Sequence, residues 1–281
     1  MKKITFYAIS MLFISALTAR AQEFHVPQPS SRQVITQDFG LGKITITYSR
    51  PNVKGRKIFG ETEPYNLVWR TGANNATTIQ FTDELTIEGN KVPAGEYALF
   101  SIPGENEWTI ILNKTAKQWG AYSYDEKADL LRFKIKPVKT DQLTETLTMQ
   151  FAEMNINSGV LHIIWEHTDL PIHFTTNVDK QVMEGIDKAM QGENKPYYFA
   201  AIYYYNNDKD MNKALEWMNI MDAKNPNTFN FKYWKARIQL KMGDKKGALV
   251  TARQGYDIAA RENNAEYMRL NKEVIAQAGA N

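Results

Sequence analysis

The chain has 281 residues, of which 43% are hydrophobic, and its 34 lysines and arginines against 31 acidic residues give a formal net charge of +3. It contains no cysteine, which excludes a disulfide framework and a lipid-modified cysteine. So small a net charge also excludes a global field that would draw the protein to nucleic acid or to anionic lipid.

Residues 1–21 have the features of a secretory signal peptide. Lys2 and Lys3 precede the apolar stretch Ile4–Leu17, and Ala19-Arg20-Ala21 is a small-x-small cleavage site. The apolar stretch is too short to span a membrane. We therefore expect a periplasmic or secreted protein, cleaved after Ala21, with no integral membrane segment in the mature chain. The removed segment holds three of the cations and no acidic residue, so the mature chain is formally neutral and no nucleic-acid partner is expected.

From Arg32 to Thr176 apolar residues recur at every second position, the period of a half-buried β-strand. The segment Lys43–Tyr48 shows this alternation, and Tyr97–Ile102 is so apolar that it predicts a strand at the centre of a sheet. The other predicted strands are Thr77–Phe81, Leu85–Glu88, Trp108–Leu112, Leu131–Ile135, Leu147–Phe151, Leu161–Trp165 and Ile172–Thr175. Because turn residues separate these segments, residues 22–176 predict an antiparallel β-sandwich, with a related barrel as the alternative. Its topology, immunoglobulin-like or jelly roll, stays open.

After Thr176 the apolar period changes to about 3.6 residues, the helical value. The predicted helices are Asp179–Met190, a helix opened by Pro196, Met211–Ala223, Thr228–Met242, Lys245–Glu262 and Ala265–Ala278. The predicted fold class is therefore α+β with two domains, a sandwich followed by a helical domain over residues 177–281.

A short sequence motif recurs in the helical part. Asp210–Leu215 (DMNKAL) recurs as Asp244–Leu249 (DKKGAL), at the 34-residue period of tetratricopeptide helix pairs. Lys195–Glu262 resembles about two such repeats, and so short an array serves either as a packing appendage or as a docking surface. A protein partner bound through this tail is one expectation. The aromatic clusters at residues 197–199 and 203–205 either line a groove or pack inside the domain.

The stretch from Tyr48 to Thr78 is the strongest candidate for a binding site, because it concentrates cations, aromatic rings and Gly or Asn in a loop-like segment. Trp69 offers a stacking face and Arg70 a planar fork of donors, which suits a small polar or anionic ligand. The alternative is that Trp69 fills the core and the other residues shape turns. A second aromatic segment, Lys117–Tyr122, forms one wall of the same cleft or closes the end of the sandwich. The predicted ligand-binding residues are Arg50, Arg56, Lys57, Trp69, Arg70, Asn74, Asn75 and Trp119.

Several of these motifs resemble a known family. The segments YSRP at 48–51, GRKIFG at 55–60, VWRTGAN at 68–74, PAG-x-YALF at 93–100 and KQWGAY at 117–122 are similar, in order and spacing, to the exported bacterial domain-of-unknown-function family 2911. The resemblance covers about Ser31 to Trp165 and implies a β-sandwich often followed by helical repeats. It implies no activity, cofactor or catalytic residue. Asn75 departs from the pattern, since an acidic residue is expected there.

No catalytic motif, phosphate loop or dinucleotide fingerprint occurs in the sequence. Three of the four histidines, His162, His167 and His173, lie close together in sequence, but their spacing does not match a zinc motif, so we expect no metal and no cofactor. Glu61 and Glu63 either act as a carboxylate pair or solvate a loop. The first hypothesis is an exported, non-catalytic binding module with a helical docking tail. The alternative is a cell-envelope hydrolase acting on glycan or peptide in the same cleft.

Overall fold

The structure, a computed structural model, describes residues 26–280, so the predicted signal peptide lies outside the described residues. The chain divides between Thr176 and Asn177 into two compact units. Antiparallel sheets form the first unit and six helices form the second, which confirms the predicted α+β class. Within residues 26–280, no helix is long and apolar enough to cross a membrane.

Two sheets make up the first unit. One has six strands in the order β1-β2-β3-β6-β7-β8, and the other has four in the order β5-β4-β10-β9. The strands are β1 (Ser31–Phe39), β2 (Gly42–Arg50), β3 (Thr77–Phe81), β4 (Leu85–Ile87), β5 (Asn90–Val92), β6 (Gly95–Ile102), β7 (Trp108–Asn113), β8 (Asp129–Ile135), β9 (Val138–Ala152) and β10 (Ser158–Thr175). The apolar strand β6 lies between β3 and β7, which confirms its predicted central position.

Two strands of the second sheet are longer than the sequence predicts. Strand β9 begins at Val138, although its first half is polar and mostly exposed. The two predicted segments 161–165 and 172–175 form the single strand β10. Up to Asp169 it pairs with β9, and from Phe174 it pairs with β4. Pro171 occupies the interval between the two ladders, where its missing N–H removes no ladder hydrogen bond.

The inward faces of both sheets form one hydrophobic core. Ile46, Leu99 and Ile110 come from the six-stranded sheet, and Leu147 and Leu161 come from the other, all at most 3% exposed. A smaller cluster lies on the outer face of the six-stranded sheet. There, part of the connection between β7 and β8 packs over β6 and β7. The strands therefore have one face in the core and the other available to build a surface site.

The second unit consists of α1 (Asp179–Ala189), α2 (Tyr197–Asn206), α3 (Met211–Lys224), α4 (Phe229–Lys241), α5 (Lys245–Arg261) and α6 (Ala265–Gly279). Asp210 and Asp244, the repeated aspartates, are the N-caps of α3 and α5, and each accepts hydrogen bonds from backbone amides of the first turn. Ala214 and Ala248 follow one turn later and are fully buried. The repeat in the sequence thus marks equivalent positions in two helices.

Helices α4, α5 and α6 approach closely around Gly255. A Cβ atom at this position would lie 2.6 Å from Asn271 Oδ1 and 3.0 Å from Lys232 Cβ, so only glycine fits. Asn271 is fully buried, and its side-chain amide donates to Tyr267 O at 2.8 Å. Within the described chain its Oδ1 has no hydrogen-bond partner.

Candidate functional site

Trp69 lies in the core of the sandwich, with only 4% of its surface exposed. Its ring stacks on Trp165 of β10 at 5.7 Å and meets the edges or faces of Phe59 and Trp108 at 5.8 and 6.3 Å. The indole N–H donates to Gly72 O at 3.1 Å. The stacking face predicted for a ligand is therefore covered by other aromatic rings, and Trp69 fills the core.

Three of the predicted cations, Arg50, Arg56 and Lys57, are engaged by the chain itself or lie at the surface. Arg50 donates to Leu147 O and to Thr148 Oγ1, both at 2.8 Å, and so ties β2 to β9. Arg56 donates to two carbonyls of its own loop. Lys57 forms an exposed ion pair with Glu61 at 3.7 Å. The structure does not bring these three predicted ligand-binding residues together around one site.

Arg70 and Asn74 hold a loop in place. Arg70 Nη1 donates to Asn74 O at 2.8 Å, and its guanidinium lies 5.7 Å from the centre of the Tyr122 ring. Asn74 adopts a left-handed conformation with φ of 60°, and its side chain donates to Ser30 O at 3.2 Å. The carbonyl of Asn74 also accepts from Gly120 N at 3.0 Å. Both predicted residues thus join the loop after β2 to the connection between β7 and β8.

A cleft of about 480 Å³ opens beside this junction, on the outer face of the six-stranded sheet. Register places its floor, because residues opposite each other in an antiparallel ladder share a face. Arg32 lies opposite Ser49, and Thr47 lies opposite Thr78. Glu96 of β6 has the same outward orientation. The floor therefore presents hydroxyl groups with a cation at one end and a carboxylate at the other.

One wall of the cleft is the segment from Ala116 to Trp119. It pairs with the loop before β3: Ala76 N donates to Gln118 O at 3.0 Å, and Asn75 forms a bridge with Trp119. Trp119 is 60% exposed and Trp69 only 4%, so much of the Trp119 side chain is accessible to a ligand. Of the predicted ligand-binding residues, Asn75 and Trp119 line this cleft.

The wall is anchored at both ends by hydrogen bonds. Lys114 N donates to Ala128 O at 2.9 Å, and Asn113 donates to Asp129 Oδ1 at 2.8 Å. Tyr124 donates to the same aspartate at 2.7 Å, and burial together with this contact raises the pKa of Tyr124 to about 12. An anchored wall gives the cleft a defined shape before any ligand arrives.

The cleft contains polar groups that suit a hydroxylated ligand. Lys117 and Gln118 add a cation and an amide to the hydroxyls of the floor. Gln118 Nε2 donates to Thr115 O at 2.7 Å, whereas its buried Oε1 has no hydrogen-bond partner in residues 26–280. An aromatic ring next to amide, hydroxyl and charged groups is the usual make-up of a polar-ligand site.

Glu63 is the residue of the loop with the most altered acidity. Burial raises its pKa to about 7, although the positive charges of Arg70 and Arg56 act in the opposite direction. Its backbone N–H donates to Ile58 O at 2.9 Å, which fixes it in a tight turn. Nothing in the sequence distinguishes Glu63 from Glu61. In the structure Glu61 is exposed, whereas Glu63 is partly buried.

The three clustered histidines have separate partners. His162 contacts Asp169 at 2.8 Å, His167 contacts Thr140 O at 2.9 Å, and His173 contacts Glu88 at 2.9 Å. In the described part of the chain, no three His, Asp or Glu side chains come close enough together to hold a metal ion.

Sequence reasoning missed most of the cleft floor. Arg32, Thr47, Thr78 and Glu96 lie on four strands, and nothing in their local sequence marks them as neighbours. Their common signal is their outward position in alternating strands, which becomes informative only when the strand order is known.

Comparison with known proteins gives one family. The family model described as "Protein of unknown function (DUF2911)" matches residues 30–174, about half of the chain. The match contains every residue that lines the cleft and both sheets except Thr175, the last residue of β10. No curated protein and no solved structure matches the chain.

Proposed function

The chain belongs to the DUF2911 family, and we propose that it is an exported, non-catalytic binding module whose sandwich takes a polar ligand in the outer-face cleft. The observation behind this proposal is an anchored cleft of about 480 Å³ with a 60% exposed tryptophan at its wall. The ligand class that fits best is a neutral or weakly charged oligosaccharide. Sugar rings stack on an open indole face, and their hydroxyls bond to hydroxyl, amide and carboxylate groups.

A strongly anionic ligand is less well supported than a sugar. Arg50, Arg56 and Arg70 donate to backbone or hydroxyl oxygens of the chain, and none of them lines the cleft. The two cations that do line it, Arg32 and Lys117, share the cleft with Glu96. Mixed charge of this kind favours hydrogen bonding to a polar ligand over capture of a highly charged one.

The alternative of a cell-envelope hydrolase has less support in the geometry. Glycoside hydrolysis generally uses two carboxyl groups on either side of the scissile bond. Among the lining residues that the structure describes, Glu96 is the single carboxylate. Glu63, with its raised pKa, does not line it.

Export and docking are parts of the same proposal. Export rests on the sequence of residues 1–21. The tetratricopeptide-like character of the tail rests on the repeat and on its two equivalent aspartate caps. We infer that the tail docks on a protein partner while the sandwich holds the ligand.

A binding assay tests the ligand site. Cellohexaose, chitohexaose and maltohexaose are added to the purified protein, with inorganic phosphate as the anionic comparison, and melting temperature and then affinity are measured. At least one oligosaccharide is expected to raise the melting temperature. Trp119→Ala is expected to weaken the affinity for that oligosaccharide about tenfold, or 1.4 kcal/mol. If none binds at millimolar concentration, or if Trp119→Ala binds as the parent does, the proposal is overturned.

Phe199→Ala is the matched control. Phe199 is an aromatic residue of α2 that is 73% exposed and does not line the outer-face cleft, so its removal is expected to leave affinity within about twofold. Product analysis of the same mixtures addresses the alternative. If the parent protein forms shorter saccharides and Glu96→Gln does not, the result would favour a hydrolase over a binding module.

A further inference from the structure

A second cleft lies within the helical unit. It has a volume of about 450 Å³ and is lined by residues of α2, α4 and α6. Its lining residues include Tyr205, Arg237, Leu240, Leu270, Glu273 and Gln277. It thus combines aromatic, apolar, amide and charged side chains in one concave surface, as ligand-binding clefts do.

Arg237 is enclosed by aromatic rings at this cleft. Its guanidinium carbon lies 4.5 Å from the ring centre of Tyr205, 4.8 Å from that of Trp234 and 5.5 Å from that of Tyr233. Contacts with ring faces hold a guanidinium in position but satisfy none of its N–H groups in the usual way. The rings therefore fix the orientation of Arg237 while leaving its donors available.

The charged neighbours of Arg237 already have partners. Lys241 donates to Tyr205 O at 2.7 Å and pairs with Asp208 at 2.5 Å. Glu273 pairs with Arg269 at 2.5 Å. Within residues 26–280, the guanidinium of Arg237 forms neither an ion pair nor a hydrogen bond, and the side chain is only partly exposed. Its unpartnered nitrogens still reach solvent, so a ligand in the cleft can supply the acceptor that the described chain does not.

We propose that this cleft binds the carboxylate of a peptide, with Arg237 as its ion-pair partner. The planar fork of a guanidinium matches the two oxygens of a carboxylate. Leu240 and Leu270 offer an apolar surface for the neighbouring side chains of the peptide, and Gln277 offers an amide for its backbone. The carboxylate is either a chain terminus or an acidic side chain. The proposal deepens, and rests on, the docking role proposed for the tail.

Fluorescence anisotropy with labelled peptides tests the proposal. Three hexapeptides of alternating Leu and Ala are used with the purified full chain: one with a free C-terminal carboxylate, one amidated with an internal Asp, and one amidated without any acid. At least one of the two acidic peptides is expected to bind at least tenfold more tightly than the neutral one. Which of them does so identifies the source of the carboxylate. The affinity is also expected to fall as salt is added.

Variants separate the role of Arg237 from its packing. Arg237→Met keeps a long side chain between the rings and removes the charge, so it is expected to lose at least tenfold in affinity for the acidic peptide. Arg253→Met is the matched control, because Arg253 is exposed on α5 and does not line the cleft, and it is expected to bind as the parent does. Arg237→Lys keeps the charge but loses the planar guanidinium, and its affinity for the acidic peptide is expected to lie between those of Arg237→Met and Arg253→Met.

Two results overturn the proposal: neither acidic peptide binds more tightly than the neutral one, or Arg237→Met retains the parent's affinity. If Arg237→Met fails to fold, as judged by its circular dichroism, Arg237→Lys takes its place, and the proposal is overturned if Arg237→Lys retains the parent's affinity for the acidic peptide. Acetate and inorganic phosphate are also added as competitors of the labelled peptide, and acetate is expected to displace it at the lower concentration. Equal displacement by the two anions would also overturn the preference for a carboxylate. The oligosaccharide response of the sandwich is measured on the same samples, so that failure of one site is distinguished from failure of the other.

Discussion

Two loops of the sandwich have similar compositions and opposite roles. The loop after β2 contains Trp69 and Arg70, and the connection between β7 and β8 contains Trp119 and Lys117. Trp69 is 4% exposed and Trp119 is 60% exposed. Arg70 is bound to a carbonyl of its own loop, whereas Lys117 lines the outer-face cleft. The first loop supports the site, and the second one forms its surface.

The difference between the loops comes from where each crosses the sandwich. Trp69 lies next to Ser101 and exchanges two backbone hydrogen bonds with it, at 2.7 and 2.9 Å, so its ring follows the inward side of β6. Trp119 pairs with Asn75 on the outer side of the sheet. An aromatic residue in a cation-rich loop is therefore no guide to ligand contact until the strand beside it is known.

The largest expected effect separates the two tryptophans. Trp69→Ala removes a core ring that contacts three other aromatic rings, and we expect it to lower the free energy of unfolding by about 3–5 kcal/mol. Trp119→Ala removes an exposed ring, and we expect a loss below about 0.5 kcal/mol. Guanidinium unfolding followed by circular dichroism measures both. Equal losses would contradict the contrast between the two loops.

A smaller effect is expected where the loops meet. Arg70→Met removes the donor to Asn74 O, but that carbonyl keeps the bond from Gly120 N, so we expect a loss of about 1–2 kcal/mol. Because the hydrogen bond from Arg70 to Asn74 O also helps to position Asn75 and Trp119, oligosaccharide affinity is expected to fall although Arg70 does not line the cleft. Hydrogen exchange at the Gly120 amide should speed up. An unchanged exchange rate would show that Arg70 does not hold the wall.

The smallest effect concerns Glu63 and depends on pH. Burial raises its folded-state pKa from 4.5 to about 7, so the folded chain keeps this proton over a range in which the unfolded chain has lost it. This contribution to stability is complete below pH 4.5 and declines as pH rises to about 7. Glu63→Gln removes the cost of the buried charge and is expected to stabilise the protein at pH 8 by about 1 kcal/mol.

The measurement for Glu63→Gln is the free energy of unfolding at pH 4, 6 and 8 for parent and variant. Glu61→Gln is the control, since Glu61 is exposed, and it is expected to follow the parent at every pH. A difference between Glu63→Gln and the parent that stays constant with pH would contradict the raised pKa.

The helices could be predicted closely from the sequence because their ends are marked locally. Asp210 and Asp244 cap α3 and α5, and the predicted starts of these two helices are the observed ones. The bounds of the strands are harder to predict from the sequence. The first half of β9 is polar, and its pairing with β10 is decided by the partner strand instead of by its own alternation. In physical terms, a helix forms its hydrogen bonds within one segment, whereas a strand depends on a distant one.

The candidate site was only partly predictable for the same reason. Asn75 and Trp119 lie in the cleft, while Trp69, Arg50, Arg56 and Lys57 do not. The sequence leaves two interpretations of Trp69 open, and only its position between Trp108 and Trp165 decides for the core. The floor of the cleft is assembled from four strands and has no local motif. Residues that meet only through long-range pairing cannot be recognised as neighbours from their spacing.

Gly255 has a consequence for the tail as a whole. Its missing side chain lets α5 lie against Asn271 of α6 and Lys232 of α4, the two helices that also form most of the helical cleft. A methyl group there would meet Asn271 Oδ1 at 2.6 Å, so the Asn271 side chain or one of the helices would have to shift. The spacing of α4, α5 and α6 therefore depends on a position outside the helical cleft, and Gly255→Ala is expected to change that spacing without replacing any residue that lines the cleft.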